Sequence, residues 1–249
     1  MIDQNLVRLV AEAGQLAPDD LVIEVGPGTG TLTEELLVRA GRVVAVEIDR
    51  DLAKLLRERF ASNAKFELIE GDALAGKHQL NPQLVQRISG SSRAKLVANL
   101  PYNIASPLVI ELLMAGVEVL AFTVQKEVAD RLRAGAGDDA YGPLSVMAAM
   151  LSRVEVMRTL PPQAFWPAPK IESALVRMTR EDKLGADAAA FTKFVHGVFA
   201  FRRKTIRKAL IQAGYHGEEL VARLGLDPQA RPETFSPEQW RQLFLAARA

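Results

Sequence analysis

Apolar positions fall into two rhythms along this chain. Through the first two thirds, short runs rich in β-branched residues are almost continuously apolar: 21–26, 42–48, 65–71, 94–99 and 118–125. Between them, near 5–14, 31–40, 50–60, 106–115 and 126–134, apolar residues recur at helical spacing. Strands without polar alternation, separated by helices, predict a parallel sheet covered on both faces. Two further runs, 154–160 and 171–179, are separated only by a Pro-rich loop. That gap is too short for a parallel crossover, so this last pair is expected to be antiparallel. From about 180 the strand rhythm stops, and 188–200, 203–213, 217–225 and 236–247 carry helical spacing. Ser236-Pro237-Glu238-Gln239 supplies an N-cap, a Pro at N1 and a capping-box Gln at N3. The expected organisation is an α/β domain over 1–179 and an all-α domain over 180–249, with 180–187 as the linker. The loop 133–142, within the first of these domains, is expected to be mobile.

Composition narrows this picture. Apolar residues make up 49% of the 249, enough for a sizeable core. No apolar run approaches a membrane span, and the first twenty residues lack the basic start and apolar block of a secretory signal. Cysteine is absent, which excludes disulfides and thiolate metal sites and fits a reducing, cytoplasmic setting. His78, His196 and His216 show no ligand spacing, so no metal is expected. Net charge is only +1, but residues 1–179 hold 19 Lys/Arg against 22 Asp/Glu, and residues 180–249 hold 12 against 8. A basic helical part on a near-neutral body points toward a polyanion.

The first strand leads into Gly26, Gly28 and Gly30, where the backbone can turn tightly and approach a ligand. Thr31 with Glu34 fits a capping box for the next helix. The spacing is G-x-G-x-G, one residue shorter than the dinucleotide fingerprint, and Glu24 stands two positions ahead of it. A pyrophosphate is repelled by that carboxylate; a sulfonium or ammonium group is attracted, which favours S-adenosylmethionine. Glu47 ends the second strand, beside Ile48, and can accept from ribose hydroxyls. Asp72 and Ala73 follow the third strand and can read an adenine edge. Each alone has a plain structural reading: a turn, a solvated strand end, a helix cap. Their succession at three strand ends, where such folds bind ligands, favours function.

Asn99-Leu100-Pro101-Tyr102 ends the fourth strand. An adenine N6 amine is a poor nucleophile, because its lone pair is delocalised into the ring. The Asn99 side-chain oxygen and a backbone carbonyl at Leu100 or Pro101 can accept its two N–H groups and stabilise charge forming on nitrogen. Pro101 fixes the turn, and Tyr102 offers a ring for a flipped-out base.

Together the stretches 24–36, 43–49, 71–74 and 99–107 resemble the ribosomal RNA adenine N6-dimethyltransferases. The likeness continues through 125–132, 141–147, 161–178 and 201–210, so it covers nearly the whole chain. It implies a Rossmann-like S-adenosylmethionine-dependent methyltransferase fold: a mostly parallel seven-stranded sheet, its last strand antiparallel, with a small C-terminal all-α domain. It implies that Glu24, Gly26, Gly28, Glu47, Ile48, Asp72, Ala73 and Asn99 bind the cofactor. It also implies that Asn99 through Tyr102 hold the target adenine, with Phe165 bordering it; Trp166, in the same Pro-rich loop, reads as a packing residue. Members dimethylate two adjacent adenosines in a hairpin loop near the 3′ end of small-subunit rRNA, consuming four cofactor molecules. The partners implied are small-subunit rRNA or a pre-30S-type particle, met by a monomer. Members also carry a Gln and a Phe-Leu pair before Ile2-Asp3-Gln4-Asn5; Met1 stands where that Leu falls, so weak cofactor binding is expected.

Arg202, Arg203, Lys204, Arg207 and Lys208 form a basic cluster on what reads as one helix, with Ile206 and Leu210 inward. Clustered cations supply salt-dependent phosphate contacts, and target choice then comes from RNA shape. Arg203 is alternatively a residue that pins the two domains. Two other functions are weighed against the leading one: a large-subunit, 23S-type rRNA adenine N6-methylase, and a ribosome assembly factor that no longer catalyses.

Overall fold

The computed structural model describes residues 3–76, 79–165 and 170–248. Met1, His78 and Trp166 lie outside the described residues. Helix α1 (Gln4–Ala13) is capped by Asp3, whose carboxylate accepts from the amides of Asn5 and Leu6. There follow β1 (Leu21–Val25), α2 (Thr31–Arg39), β2 (Arg42–Glu47), α3 (Arg50–Arg59) and β3 (Phe66–Glu70). A small antiparallel ladder, β4 (Leu74–Gly76) and β5 (Gln79–Leu80), leads into α4 (Pro82–Ser89). Then come β6 (Ala94–Asn99), α5 (Ala105–Met114), β7 (Val119–Gln125), α6 (Lys126–Arg133), α7 (Pro143–Leu151), β8 (Ser152–Leu160) and β9 (Ser173–Arg180). The ladder, α4 and α7 are additions to the expected elements. The start of α4 is signalled by Asn81, which caps it, and by Pro82 at its first turn.

Seven strands form one sheet in the order β3-β2-β1-β6-β7-β9-β8. β1 pairs in parallel with β2 on one side and β6 on the other, and β9 runs antiparallel to β7. The expected mostly parallel sheet is therefore present. The chain order reverses between β1 and β6, which opens a crevice at their carboxyl ends. Every residue of β1 is buried, as are Val43 to Glu47 of β2, so the sheet is covered on both faces. No described helix is long and apolar enough to cross a membrane.

The chain divides into two compact units, one running to Ala129 and resuming over Arg153–Arg180, the other Asp130–Ser152 with Glu181–Ala249. The expected division into 1–179 and 180–249 kept residues 130–152 with the sheet; in the structure they go with the helices. The reason lies in their contacts. Tyr141 donates its hydroxyl hydrogen to the Phe235 carbonyl at 2.8 Å, Gly137 N–H donates to the Glu233 carbonyl at 2.9 Å, and α7 packs on later helices. The 133–142 loop is thereby tied down. The second unit continues with α8 (Ala188–Phe199), α9 (Ile206–Gln212), α10 (Gly217–Arg223) and α11 (Pro237–Arg248). Trp240, wholly buried, stacks on Phe199 at 4.8 Å and meets Phe194 edge-on. The Ser236–Gln239 capping box at α11 is present in both directions, at 3.2 and 2.9 Å.

Candidate active site

The site grows from the turn after β1. Gly26, Gly28 and Gly30 all have positive φ, at 72, 60 and 87°, a region that side chains disfavour. At Gly30 a Cβ would stand 2.8 Å from Phe60 Cε2 and 3.1 Å from Leu56 Cδ2, so α3 seals the outside of the turn. Arg59 adds to that seal by donating to the Thr29 carbonyl and to Glu34. The expected Thr31–Glu34 capping box does not form. Gly30 is itself the N-cap, the left-handed turn carries the chain into α2, and Glu34 is drawn to Arg59 instead.

Glu47, at the tip of β2, accepts from Gly28 N–H at 3.2 Å and Asp49 N–H at 3.0 Å. Asp72 accepts from Leu74 N–H at 2.9 Å, which fixes the turn after β3. A cleft of about 130 Å³ runs between these strand ends, walled by Gly26, Glu47, Ile48, Asp72, Ala73 and Pro101. Ile48 is 67% exposed, an apolar face left open at the cleft. Asn103 and Ile104 also line it, and sequence reasoning missed both. Gly28 and Asn99 stand outside the lining.

Glu24 also stands apart. Its side chain is buried, and Thr33 Oγ1 donates to it at 2.6 Å. Burial pushes the Glu24 carboxyl up to about 8, opposed by the Thr33 hydrogen bond and helped by the Glu47 charge. Glu24 is thus enclosed against α2 and does not line the cleft. The folded protein therefore holds a proton here that the unfolded chain releases near its ordinary value of 4.5. Stability should fall by a few kcal/mol as pH rises between those two values, then level off. Glu24→Gln should flatten that slope in denaturant titrations across the window; an unchanged slope would contradict the assignment.

The fourth strand end stands against the same turn. A Cβ on Gly26 would lie 3.1 Å from Pro101 Cγ, so the glycine loop and the Asn99–Tyr102 corner touch. Pro101, Tyr102 and Asn99 are half-buried rather than sealed. Thr123 Oγ1 donates to Asn99 Oδ1, and the Tyr102 hydroxyl shares a hydrogen bond with Ser173 Oγ at 2.7 Å. The structure separates the two backbone candidates. The Pro101 carbonyl already accepts from Ile104 N–H at 3.2 Å, whereas no donor among the described residues reaches the Leu100 carbonyl. Leu100 as a whole is buried, at 2% exposure. Phe165, expected beside the base, is instead 5% exposed and belongs to the core cluster with Leu6, Val7 and Leu160.

Gly26 of the glycine turn and Pro101 of the Asn-Leu-Pro-Tyr corner thus line one cleft. The family model for ribosomal RNA adenine dimethylase matches residues 1–248. The chain belongs to the ribosomal RNA adenine dimethylase family. It is 42% identical over 236 residues to the ribosomal RNA small subunit methyltransferase A of Hahella chejuensis, covering 93% of this chain and 84% of that protein. The solved 23S rRNA methyltransferase ErmE is 30% identical with a TM-score of 0.69, over 99% of this chain and 98% of that one. A dimethyladenosine transferase from Plasmodium falciparum shares the fold, with a TM-score of 0.79 at 21% identity, over 98% and 95%. This member of the adenine dimethylase family is thus a methyltransferase, with the Rossmann-like fold of S-adenosylmethionine-dependent enzymes.

In this dimethylase the basic cluster is arranged differently from expectation. Arg202, Arg203 and Lys204 lie in an exposed turn ahead of α9, which starts only at Ile206. Thr205, at the N-cap, has extended backbone, and this stops the helix from reaching back through them. Arg207 is paired with Glu218 at 2.9 Å, and Lys208 is exposed. Ile206 and Leu210 are fully buried, as the pattern required.

Proposed function

We propose that this dimethylase uses S-adenosylmethionine to dimethylate N6 of two adjacent adenosines in a 3′-terminal hairpin loop of small-subunit rRNA. In this reading it acts as a cytoplasmic monomer during small-subunit assembly. The observation that carries the reading is the contact of Gly26 with Pro101, which sets the ligand cleft directly against the Asn99–Tyr102 corner.

The cleft suits the cofactor by its chemistry. Its lining includes two carboxylates, apolar Ile48 and Ala73, and no Lys or Arg. That set welcomes a cationic, phosphate-free nucleoside and disfavours a dinucleotide. In this proposal Glu47 holds ribose hydroxyls, Asp72 and Ala73 address the adenine edge, Ile48 covers its face, and Gly26 and Gly28 admit the methionine end. When bound, S-adenosylmethionine supplies the activated methyl group. Asn99 Oδ1 and the Leu100 carbonyl accept from the target amine and hold its lone pair outward, and the Tyr102 ring stacks on the base. The methylated nitrogen is acidic, so no strong base is needed. Arg202, Arg203, Lys204 and Lys208 contact phosphates, with Arg207 joining them if Glu218 releases it.

A large-subunit target is a second reading, favoured by the likeness to a 23S rRNA methyltransferase. The higher identity to small-subunit enzymes supports the first. Methyl incorporation into unmodified small-subunit particles, compared with 23S-type RNA, decides between them. Dimethyladenosine mapped to two neighbouring positions of the small-subunit RNA is the expected result. Incorporation only into the large-subunit RNA would overturn the reading, and binding without incorporation would leave an assembly factor.

A further inference from the structure

Two buried hydroxyls stand directly behind the corner. Asn99 and Thr123 are paired residues of the β6–β7 ladder, so their side chains leave the sheet on the same face. Thr123 is wholly buried in a strand whose neighbouring positions Leu120, Ala121, Phe122 and Val124 are equally buried and all apolar. A hydroxyl in such a place is unfavourable unless it is bonded, and its bond is to Asn99 Oδ1. The same residue holds the next one along, because its carbonyl accepts from Leu100 N–H at 3.3 Å. Ser173, the first residue of β9, is likewise wholly buried, and its hydroxyl meets that of Tyr102 at 2.7 Å. In the β7–β9 ladder Thr123 pairs with Leu175 and Gln125 with Ser173. Both hydroxyls therefore rise at the same end of the sheet, one behind each functional side chain.

We propose that Thr123 and Ser173 are positioning residues for methyl transfer: Thr123 orients the Asn99 carboxamide and Ser173 the Tyr102 ring. This deepens the proposed function and rests on it. Oδ1 of Asn99 has two lone pairs; Thr123 takes one, which stops the amide from turning, and the other is left for the target amine. The Tyr102 ring swings about its Cα–Cβ bond, and a tether at its far end fixes where the ring stands, and so the position of the surface on which a base stacks. Neither hydroxyl touches substrate. Their effect therefore belongs to the chemical step, which is steeply sensitive to alignment, and not to binding.

The test uses the purified full-length chain with saturating S-adenosylmethionine and unmodified small-subunit particles. It reads kcat, KM for the particle, cofactor affinity and melting temperature. Thr123→Val, which keeps the shape and removes the hydroxyl, should lower kcat by roughly 10- to 100-fold, leaving KM and cofactor affinity within about twofold. Thr123→Ser should keep kcat within about threefold, since it restores the donor. Ser173→Ala and Tyr102→Phe delete opposite ends of one bond, so they should lower kcat by the same factor, and the double variant should lose no more than either single. Wild-type kcat in Thr123→Val, a Ser variant as slow as the Val variant, or multiplying losses at Ser173 and Tyr102 would each overturn the positioning role. If Thr123→Val fails to fold, the Ser variant and the Ser173–Tyr102 cycle still decide. A wild-type chain that methylates no rRNA adenosine overturns the proposed function and this inference together. An active wild type with unaffected variants overturns the inference alone.

Discussion

Asn99→Ala should lower kcat for methyl transfer by about 10²- to 10³-fold, the range seen when one fixed hydrogen-bond partner of developing charge is removed. The amine nitrogen gains positive charge as the methyl group arrives, and its hydrogens become stronger donors at that moment. An acceptor held ready for them is worth more in the transition state than in the bound ground state, so kcat should fall while KM for the RNA stays within a few-fold. The Leu100 carbonyl is a backbone group and survives the substitution, which is why the loss is not total. A second, smaller effect is expected on stability. Thr123 is fully buried and its hydroxyl bonds to Asn99, so alanine leaves it without a partner, at about 1–3 kcal/mol. Single-turnover methyl transfer at saturating cofactor, measured below the melting temperature of the variant, separates the two effects. A variant with the wild-type single-turnover rate would remove Asn99 from the chemistry.

The sheet and the ends of its strands were legible because burial on both faces leaves a simple trace. Val22, Val43 and Leu96 sit in runs that are apolar on both faces but for single buried charges such as Glu24 and Lys95, and the chain changes character where each run ends. Glu47, Asp72 and Asn99 stand at those changes, so their gathering along one edge followed from the parallel topology. What was illegible depended on pairing across the fold. Nothing local to Thr123 or Ser173 announces that one lies behind Asn99 and the other behind Tyr102; the β6–β7 and β7–β9 registers decide it. Glu24 was illegible for another reason: a sequence shows a carboxylate but not its enclosure. Phe165 failed similarly, since an aromatic residue in a Pro-rich loop looks the same whether it faces a base or a core. Residues 130–152 were assigned to the sheet unit by adjacency in sequence, and the distant Tyr141–Phe235 bond reverses that. In the basic cluster, the pattern of Ile206 and Leu210 was read one turn too far toward the N-terminus.

At the opposite end of β1 and β6 a buried ion pair governs stability, and Lys95→Met should cost about 3 kcal/mol, as expected when one partner of such a pair is removed. Lys95 Nζ lies 2.7 Å from Asp20 Oδ2, with side-chain exposures of 6% and 0%. It also donates to the Gln15 carbonyl at 2.5 Å. Gln15 has a φ of 49°, unique among the described non-glycine residues in being positive, so the lysine fastens a strained link between α1 and β1. Methionine fills the same channel but leaves the Asp20 carboxylate with only Arg93 Nε at 2.9 Å and the Ala17 amide at 2.7 Å. Asp20→Asn should also destabilise, by stranding the ammonium. Combining the two should cost less than the sum of the singles, because neither charge is then left alone. The pH dependence has a definite sign. Burial by itself raises the Asp20 carboxyl, but the Lys95 hydrogen bond, the Ala17 amide and the Lys95 and Arg93 charges outweigh it and hold it below 3.8. Its contribution is present above that value and is lost as pH falls through the lower folded value. Wild type should therefore lose stability in acid more steeply than Asp20→Asn, a difference readable in urea titrations between neutral pH and about pH 3. Parallel pH profiles for the two proteins, or a Lys95→Met variant as stable as wild type, would show that this pair does not hold the base of the sheet.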